Sequence, residues 1–208
     1  MKNLINQIII GIIGILCLVM IYGFYTLSNV NLTYEDKTLS KTVEAENFCK
    51  ENDYNQDFCI LIDMSIHSGK KRFFILNLKT KEIEKSYLVS HGCGNSLWQG
   101  DLTKTNPTFS NVENSHSSSL GKYKIGKRGW SSYGVNVNYR IHGLEASNSN
   151  ANDRDIVFHS WDPVSDEELY PNGTPEGWGC PAISNNAFLE IDSLLRYSHK
   201  PTLMWIFK

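Results

Sequence analysis

The sequence predicts a mainly β (α+β) domain, arranged as a β-sandwich or a barrel-like sheet with one C-terminal helix. Three observations indicate this class. Short β-rich segments recur along most of the chain, helical spacing of apolar residues is clear in one late segment, and strands do not alternate with helices. At 208 residues the chain is long enough for one well-buried domain and a short appendage.

The strand-like segments are apolar or alternating runs separated by polar turns. They comprise residues 59–64, 72–78, 83–89, 117–125, 139–144, 155–159 and 202–207. Because short turns separate the first three, we expect these to form an antiparallel meander.

One helix is predicted near the C-terminus. Asn185 or Asn186 can cap it, and its apolar residues recur at helical spacing. These residues are Phe188, Leu189, Ile191, Leu194 and Leu195. A short helix is also possible over Val43–Glu51, where the globular part begins.

The N-terminus differs in character from the rest. Residues 3–34 carry no charge, and Ile8–Tyr25 is an unbroken run of apolar residues and glycine, roughly the minimum length for a membrane-spanning helix. We therefore predict a transmembrane signal anchor at residues 1–27, a polar tether at 28–44 and a globular domain at 45–208. The domain would lie outside the cytoplasm on a single-pass anchor. The alternative is a cleaved signal peptide and a secreted domain.

Composition excludes some classes of function. The net charge is −2 and no basic run occurs, which gives no electrostatic reason to expect nucleic-acid binding. His91 and Cys93 lie two residues apart, but no further ligands follow at the spacing of a zinc site. We expect no metal, no other cofactor and a monomer.

If the domain lies outside the cytoplasm, its cysteines can be expected to form disulfides, because paired cysteines there tend to be oxidised. Cys49 and Cys59 are the natural candidates for a pair. Two free buried thiols remain the alternative.

The candidate for chemistry is Cys180, which lies in a glycine-rich turn, together with His159 at the end of an apolar strand. A cysteine nucleophile needs a base and hydrogen-bond donors for the oxyanion, and one returning loop can bring these together. Gly177 and Gly179 would let the backbone turn its N–H groups inward, where side chains would hinder them. A structural cysteine with a core histidine, and Cys93 as the nucleophile, are the competing interpretations.

Other histidines are given structural roles. His67 lies in a turn and is expected to be solvated, while His142 lies in an alternating segment and is expected to be a partly buried strand residue. His91 and Cys93 are interpreted as part of a glycine-rich turn near the site.

Six motifs in order resemble the YkuD-like murein L,D-transpeptidase catalytic domain, in the branch whose cysteine motif reads Trp-Gly-Cys-Pro. They are His91-Gly-Cys-Gly, Ser110-Asn111, Ser118-Ser-Leu-Gly-Lys-Tyr123, Arg140-Ile-His-Gly-Leu-Glu145, Arg154-Asp-Ile-Val-Phe-His159 and Trp178-Gly-Cys-Pro-Ala182. The resemblance covers roughly residues 60–208.

The resemblance implies a cysteine that attacks the amide of a peptidoglycan stem peptide and then passes the acyl group to an amine of a neighbouring stem. Cys180 matches the nucleophile, His159 the base, and the carbonyl of Ser160 the group that orients the imidazole. The backbone N–H groups of Trp178, Gly179 and Cys180 match the oxyanion donors.

The sequence departs from the commoner family motif, which has a second histidine before the cysteine and an arginine after it. Here Trp178 replaces the histidine, and Pro181-Ala182-Ile183 stands where the arginine would be. The gap of about twenty residues from His159 to Cys180 predicts a large loop. Two alternatives stay open: an L,D-carboxypeptidase with water as acceptor, and a membrane-tethered cell-wall binding module without catalysis.

Overall fold

The computed structural model describes residues 2–208, with side chains for residues 11–23 and 40–208. The chain divides into two compact units, residues 1–44 and residues 45–208. Helix α1 spans Lys2–Glu51 and includes the short helix expected before Glu51.

The predicted membrane anchor and tether fall partly on residues whose side chains lie outside the described ones. The apolar run Ile8–Tyr25 extends past both ends of the described stretch 11–23, and residues 24–39 cover most of the tether. Within the described residues, none of the helices combines the length and apolar character that a bilayer crossing requires.

The second unit is mainly β and is built on one eight-stranded, barrel-like sheet. Its strands are β1 (Phe58–Asp63), β2 (Phe73–Asn77), β3 (Ile83–Tyr87), β4 (Gly121–Trp130), β5 (Val137–Gly143), β6 (Val157–Ser160), β7 (Ala182–Ile183) and β8 (Thr202–Phe207). The order across the sheet is β3-β2-β1-β8-β4-β5-β6-β7. All the predicted strands are found, whereas β7, with only two residues, has no recognisable sequence pattern.

The first three strands form the predicted antiparallel meander. The C-terminal strand β8 then inserts between β1 and β4, parallel to β1, with Ile60 opposite Met204. Every residue of β8 is buried. A strand that pairs on both edges and is buried on both faces has a continuous run of apolar residues in its sequence. The last strand of this chain shows this pattern.

The strand that carries the predicted base starts later than the sequence suggests. Asp155 has a φ of 53°, in the left-handed region, so that the extended backbone of β6 begins only at Val157. Phe158 is buried in the core, where its ring lies 5.6 Å from that of Phe73 and 5.0 Å from that of Phe188.

The predicted C-terminal helix is α2, which spans Asn185–Arg196. Its cap is Ser184, whose hydroxyl accepts the N–H of Ala187, so the prediction of Asn185 or Asn186 as the cap was wrong by one or two residues. The hydroxyl of Ser184 also bonds Asp166, and both asparagine side chains reach back to the loop before β7. The start of α2 therefore fixes the loop that returns to β7.

Candidate active site

Strand β6 presents His159 to a cavity. Side chains alternate across a strand, so His159 faces away from the core that Phe158 enters. The histidine is nevertheless only 7% exposed, because it forms part of the wall of a cavity of about 290 Å³.

Strand β7 brings Cys180 to the same cavity. It runs parallel to β6, with Ala182 opposite His159. Two residues before each of these positions, the N–H of Val157 donates to the Sγ of Cys180, which precedes β7, at 3.4 Å. The thiol in turn lies 4.0 Å from the carbonyl oxygen of Asp155. The register of this parallel pair thus sets the position of the thiol.

The carbonyl of Ser160 defines the tautomer of His159. Its oxygen lies 2.8 Å from Nδ1. A carbonyl can only accept, so Nδ1 carries the proton and Nε2 has a free lone pair. No residue in the described part of the chain forms a hydrogen bond with Nε2. The Ser160 carbonyl therefore lies where the family resemblance expected the orienting group.

Burial favours the neutral form of both groups. It lowers the pKa of His159, and the hydrogen bond to the Ser160 carbonyl offsets this only in part. Burial also raises the pKa of the Cys180 thiol, against the opposing effects of the Val157 N–H and the positive charge of Arg154. The resting pair is thus a thiol and an imidazole with an available lone pair.

The turn before Cys180 requires one glycine. Gly179 has a φ of 106°, and a Cβ there would lie 2.6 Å from the carbonyl oxygen of Ser117. At Gly177, by contrast, a Cβ would meet nothing within 4 Å, so the expectation that a side chain would hinder the turn at this position was wrong. Within the described residues, the N–H groups of Trp178, Gly179 and Cys180 have no protein acceptor. They are available as donors to a bound oxyanion.

Aromatic rings form much of the cavity wall, and sequence reasoning did not identify most of them. Trp98, Tyr133, Trp161 and Trp178 line the cavity with His159. The Trp178 ring is 56% exposed and stacks on that of His116 at 4.7 Å. Trp98 and Tyr133 come from loops far from the cysteine motif in sequence, and neither lies in a pattern that would indicate a site.

Arg154 also lines this cavity. It stands in the motif that precedes His159, but the sequence alone gave it no role. Its half-buried guanidinium bonds a serine-rich segment at residues 110–119.

A buried polar network lies behind the turn and explains His91. Arg72 Nη2 lies 2.8 Å from His91 Nδ1, and a guanidinium only donates, so the proton of His91 is on Nε2, 2.8 Å from Thr103 Oγ1. Glu176 accepts from the N–H and the hydroxyl of Thr103 at 2.6 Å each. The N–H of Gly177 donates to the His91 carbonyl at 2.8 Å. His91 therefore holds the turn in place.

The remaining candidates lie apart from this cavity. Cys93 is buried and lines a different cavity, which contains neither His159 nor Cys180. His142 is a partly buried residue of β5, as expected. His67 is also partly buried rather than solvated, because its Nδ1 accepts the N–H of Gly69 at 3.0 Å and its ring packs against Tyr170.

The cysteines and the possible metal ligands that the sequence suggests lie among the described residues. Among the described residues, no group of His, Cys, Asp and Glu side chains could hold a metal ion. Cys49 and Cys59 are both buried and both free thiols in the structure.

The chain belongs to the L,D-transpeptidase catalytic domain family, YkuD_2, which matches residues 31–204. This confirms the resemblance drawn from the sequence motifs. A comparison with curated proteins finds no match.

Solved structures with a similar chain path include three at low sequence identity. A mutant of the helical cell shape determining protein Pgp2 from Campylobacter jejuni is 13% identical with a TM-score of 0.44, over 74% of this chain and 48% of that one. The unmutated Pgp2 is also 13% identical, with a TM-score of 0.44, over 82% and 54%. An L,D-transpeptidase from Xylanimonas cellulosilytica is 10% identical, with a TM-score of 0.41, over 77% and 68%. The chain thus spans about half the length of the Pgp2 chains.

The two glycines of the cysteine turn predict different responses to alanine. Gly179→Ala is expected to lower the free energy of unfolding by about 2 kcal/mol or more, because its φ is unfavourable for a side chain and the Ser117 carbonyl blocks the Cβ. Gly177→Ala is the matched control and should change it by less than about 1 kcal/mol, since its Cβ would occupy open space. Denaturant unfolding of both variants measures the difference. Equal losses would show that the turn does not depend on the backbone of Gly179.

Proposed function

We propose that this protein is a cysteine L,D-transpeptidase that cross-links peptidoglycan stem peptides through a Cys180 acyl-enzyme. One observation carries the proposal: Cys180 and His159 line one cavity, and the Nε2 of His159 is left without a protein partner. The family supports the substrate class.

In the first half-reaction Cys180 Sγ attacks the carbonyl carbon of the donor amide. The thiol proton passes to Nε2 of His159 as the S–C bond forms, because the resting thiol is protonated. The N–H groups of the turn bind the oxyanion. Nε2 then returns the proton to the leaving amine as the C–N bond breaks, which leaves a thioester.

In the second half-reaction an amine of a neighbouring stem attacks the thioester. His159 takes a proton from this amine and gives it to the departing Sγ, so that the thiol and a neutral imidazole are restored. Water in place of the amine would give a carboxypeptidase. The aromatic wall of Trp98, Tyr133, Trp161 and Trp178 supports the transferase, since its apolar faces would favour an amine of a bound stem over water.

The test is incubation of the full chain with purified muropeptides, followed by mass analysis of the products. Wild type is expected to form cross-linked dimers, while Cys180→Ser and His159→Ala should lose at least about a hundredfold in rate. Cys93→Ser, a buried cysteine outside the cavity, is the matched control and should keep the activity.

The products separate the alternatives. Shortened stems without dimers would replace the transferase with a carboxypeptidase. Intact muropeptides, together with retained binding to cell wall and no acylation of Cys180 by a carbapenem, would indicate a binding module without catalysis.

The lowered pKa of His159 predicts how kcat/KM depends on pH. Because burial lowers its pKa, the imidazole keeps its lone pair at pH values where an ordinary histidine, with a pKa of about 6.5, is half protonated. The acid limb of kcat/KM is therefore expected to have its midpoint below about 6.5. A midpoint clearly above that value would contradict the lowered pKa of His159. A preformed thiolate–imidazolium pair would instead place the raised histidine pKa on the alkaline limb, where activity falls as the imidazolium loses its proton.

We also propose that residues 1–27 anchor the chain in a membrane, with residues 45–208 outside the cytoplasm. The support is the uncharged apolar run Ile8–Tyr25 in the sequence. The full chain should sediment with membranes and be released by detergent but not by salt, and deletion of residues 1–27 should make it soluble. A shortened secreted species in place of the anchored one would favour a cleaved signal peptide.

A further inference from the structure

The guanidinium of Arg154 is held by a single segment of the chain. Nη1 donates to the carbonyl of Ser110 at 2.9 Å and to the hydroxyl of Ser119 at 2.8 Å. Nη2 donates to the carbonyl of Ser117 at 2.7 Å and to the hydroxyl of Ser115 at 3.3 Å. All the N–H groups of the two terminal nitrogens therefore have acceptors, and the planar fork has one fixed orientation.

The Arg154 guanidinium and the segment that it binds lie directly against the turn that precedes Cys180. Arg154 Nη2 is 3.3 Å from the place of a Cβ on Gly179, and the Ser117 carbonyl that it binds is 2.6 Å from the same point. The hydroxyl of Ser118 donates to the carbonyl of Gly179 at 3.1 Å. The residue before Cys180 is thus packed against both the guanidinium and the segment that the guanidinium holds.

The charge of Arg154 is not compensated nearby. Among the described residues, no carboxylate lies within 4.0 Å of its guanidinium, whose four partners are all neutral. Arg140 differs, because it forms an ion pair with Asp155 at 2.7 Å. The net charge of the Arg140–Asp155 pair is close to zero, whereas Arg154 contributes a full positive charge.

Several ionisable groups surround the thiol. Those that act on it or share its cavity are Arg140 on β5, Arg154 and Asp155 before β6, and His159 on β6. Glu113, His116 and Asp153 line an adjoining cavity, which Arg154 and Trp178 also line. Since His159 is neutral at rest and Arg140 is paired with Asp155, Arg154 is the uncompensated cation nearest in this set to the turn.

We propose that Arg154 is a positioning residue that fastens the segment 110–119 to the Gly179–Cys180 turn and holds a fixed positive charge beside the sulfur as it becomes a thiolate. The sulfur becomes anionic when its proton moves to His159, and an opposite charge close by favours that form. Burial disfavours the thiolate of Cys180, so Arg154 offsets part of the cost of burying this anion. The inference rests on the proposed function only in taking Cys180 as the nucleophile.

The test is a pH titration of Cys180 in the full chain. At each pH the rate of alkylation of this cysteine by iodoacetamide is measured by peptide mass analysis. Arg154→Met is expected to raise the apparent pKa of the thiol by about one, which leaves about tenfold less thiolate at neutral pH. Arg154→Lys keeps the charge and should restore most of the alkylation rate. A loss of folding alone would not be reversed by lysine in this way, because lysine cannot make the same four bonds.

Arg128→Met is the matched control. It also removes an arginine from the domain, but one that is paired with Asp192 at 2.8 Å and lines a cavity without Cys180. Alkylation of Cys180 should keep its wild-type pH profile in this variant. The charge role of Arg154 is overturned if Arg154→Met titrates like wild type, or if Arg154→Lys is as slow as Arg154→Met.

A second pair of variants tests the charge without removing the arginine. Ser115→Asp would place a carboxylate beside the guanidinium, where the two form an ion pair and cancel, and the thiol pKa should rise as it does in Arg154→Met. Ser115→Asn has a similar size without the charge and should leave the titration unchanged. An equal effect of both variants, or of neither, would contradict a role for the charge.

This test is independent of the transferase reaction, because alkylation needs no peptidoglycan. If Cys180 titrates as expected in all variants but muropeptides are not cross-linked, Arg154 keeps its role and the proposed function fails. If cross-linking requires Cys180 while Arg154→Met leaves the thiol titration unchanged, the function stands and the inference about Arg154 fails.

Discussion

The site depends on the parallel pairing of β6 with the two-residue strand β7. With Ala182 opposite His159, a thiol and an imidazole separated by a long loop come to line one cavity. The loop itself is held by the start of α2, through the side chains of Ser184, Asn185 and Asn186. The helix therefore contributes to the chemistry by fixing where β7 begins, although it provides no group to the cavity.

Two polar systems hold the cysteine turn from different sides. The buried network of Arg72, His91 and Glu176 fixes the backbone at Gly177, and the contacts of Arg154 fix it at Gly179. Burial lowers the pKa of the Arg72 guanidinium to about 9, and Asp63 opposes this. An arginine buried so fully is costly unless every donor is satisfied, and such a network specifies one arrangement of its parts. A rigid turn keeps its N–H groups oriented toward a bound oxyanion.

Burial also bears on how the proposed nucleophile Cys180 would be activated. A cavity that raises the pKa of Cys180 and lowers that of His159 disfavours a charge-separated pair at rest. In the proposed mechanism, proton transfer then accompanies attack on the substrate, and the positive charge of Arg154 would act at that moment.

The sequence by itself determined the strands other than β7, the C-terminal helix and the likeness to the L,D-transpeptidase family, because alternation, helical spacing and short motifs are local. It also singled out Cys180 and His159, which stand in those motifs, and Ser160, which directly follows one of them. Only the tertiary structure decided that β8 lies between β1 and β4, that His91 is part of a buried network, and that Arg154 lies against Gly179. Pairing between distant strands and contacts between loops follow from how the whole chain packs, and no periodicity within a short window encodes them.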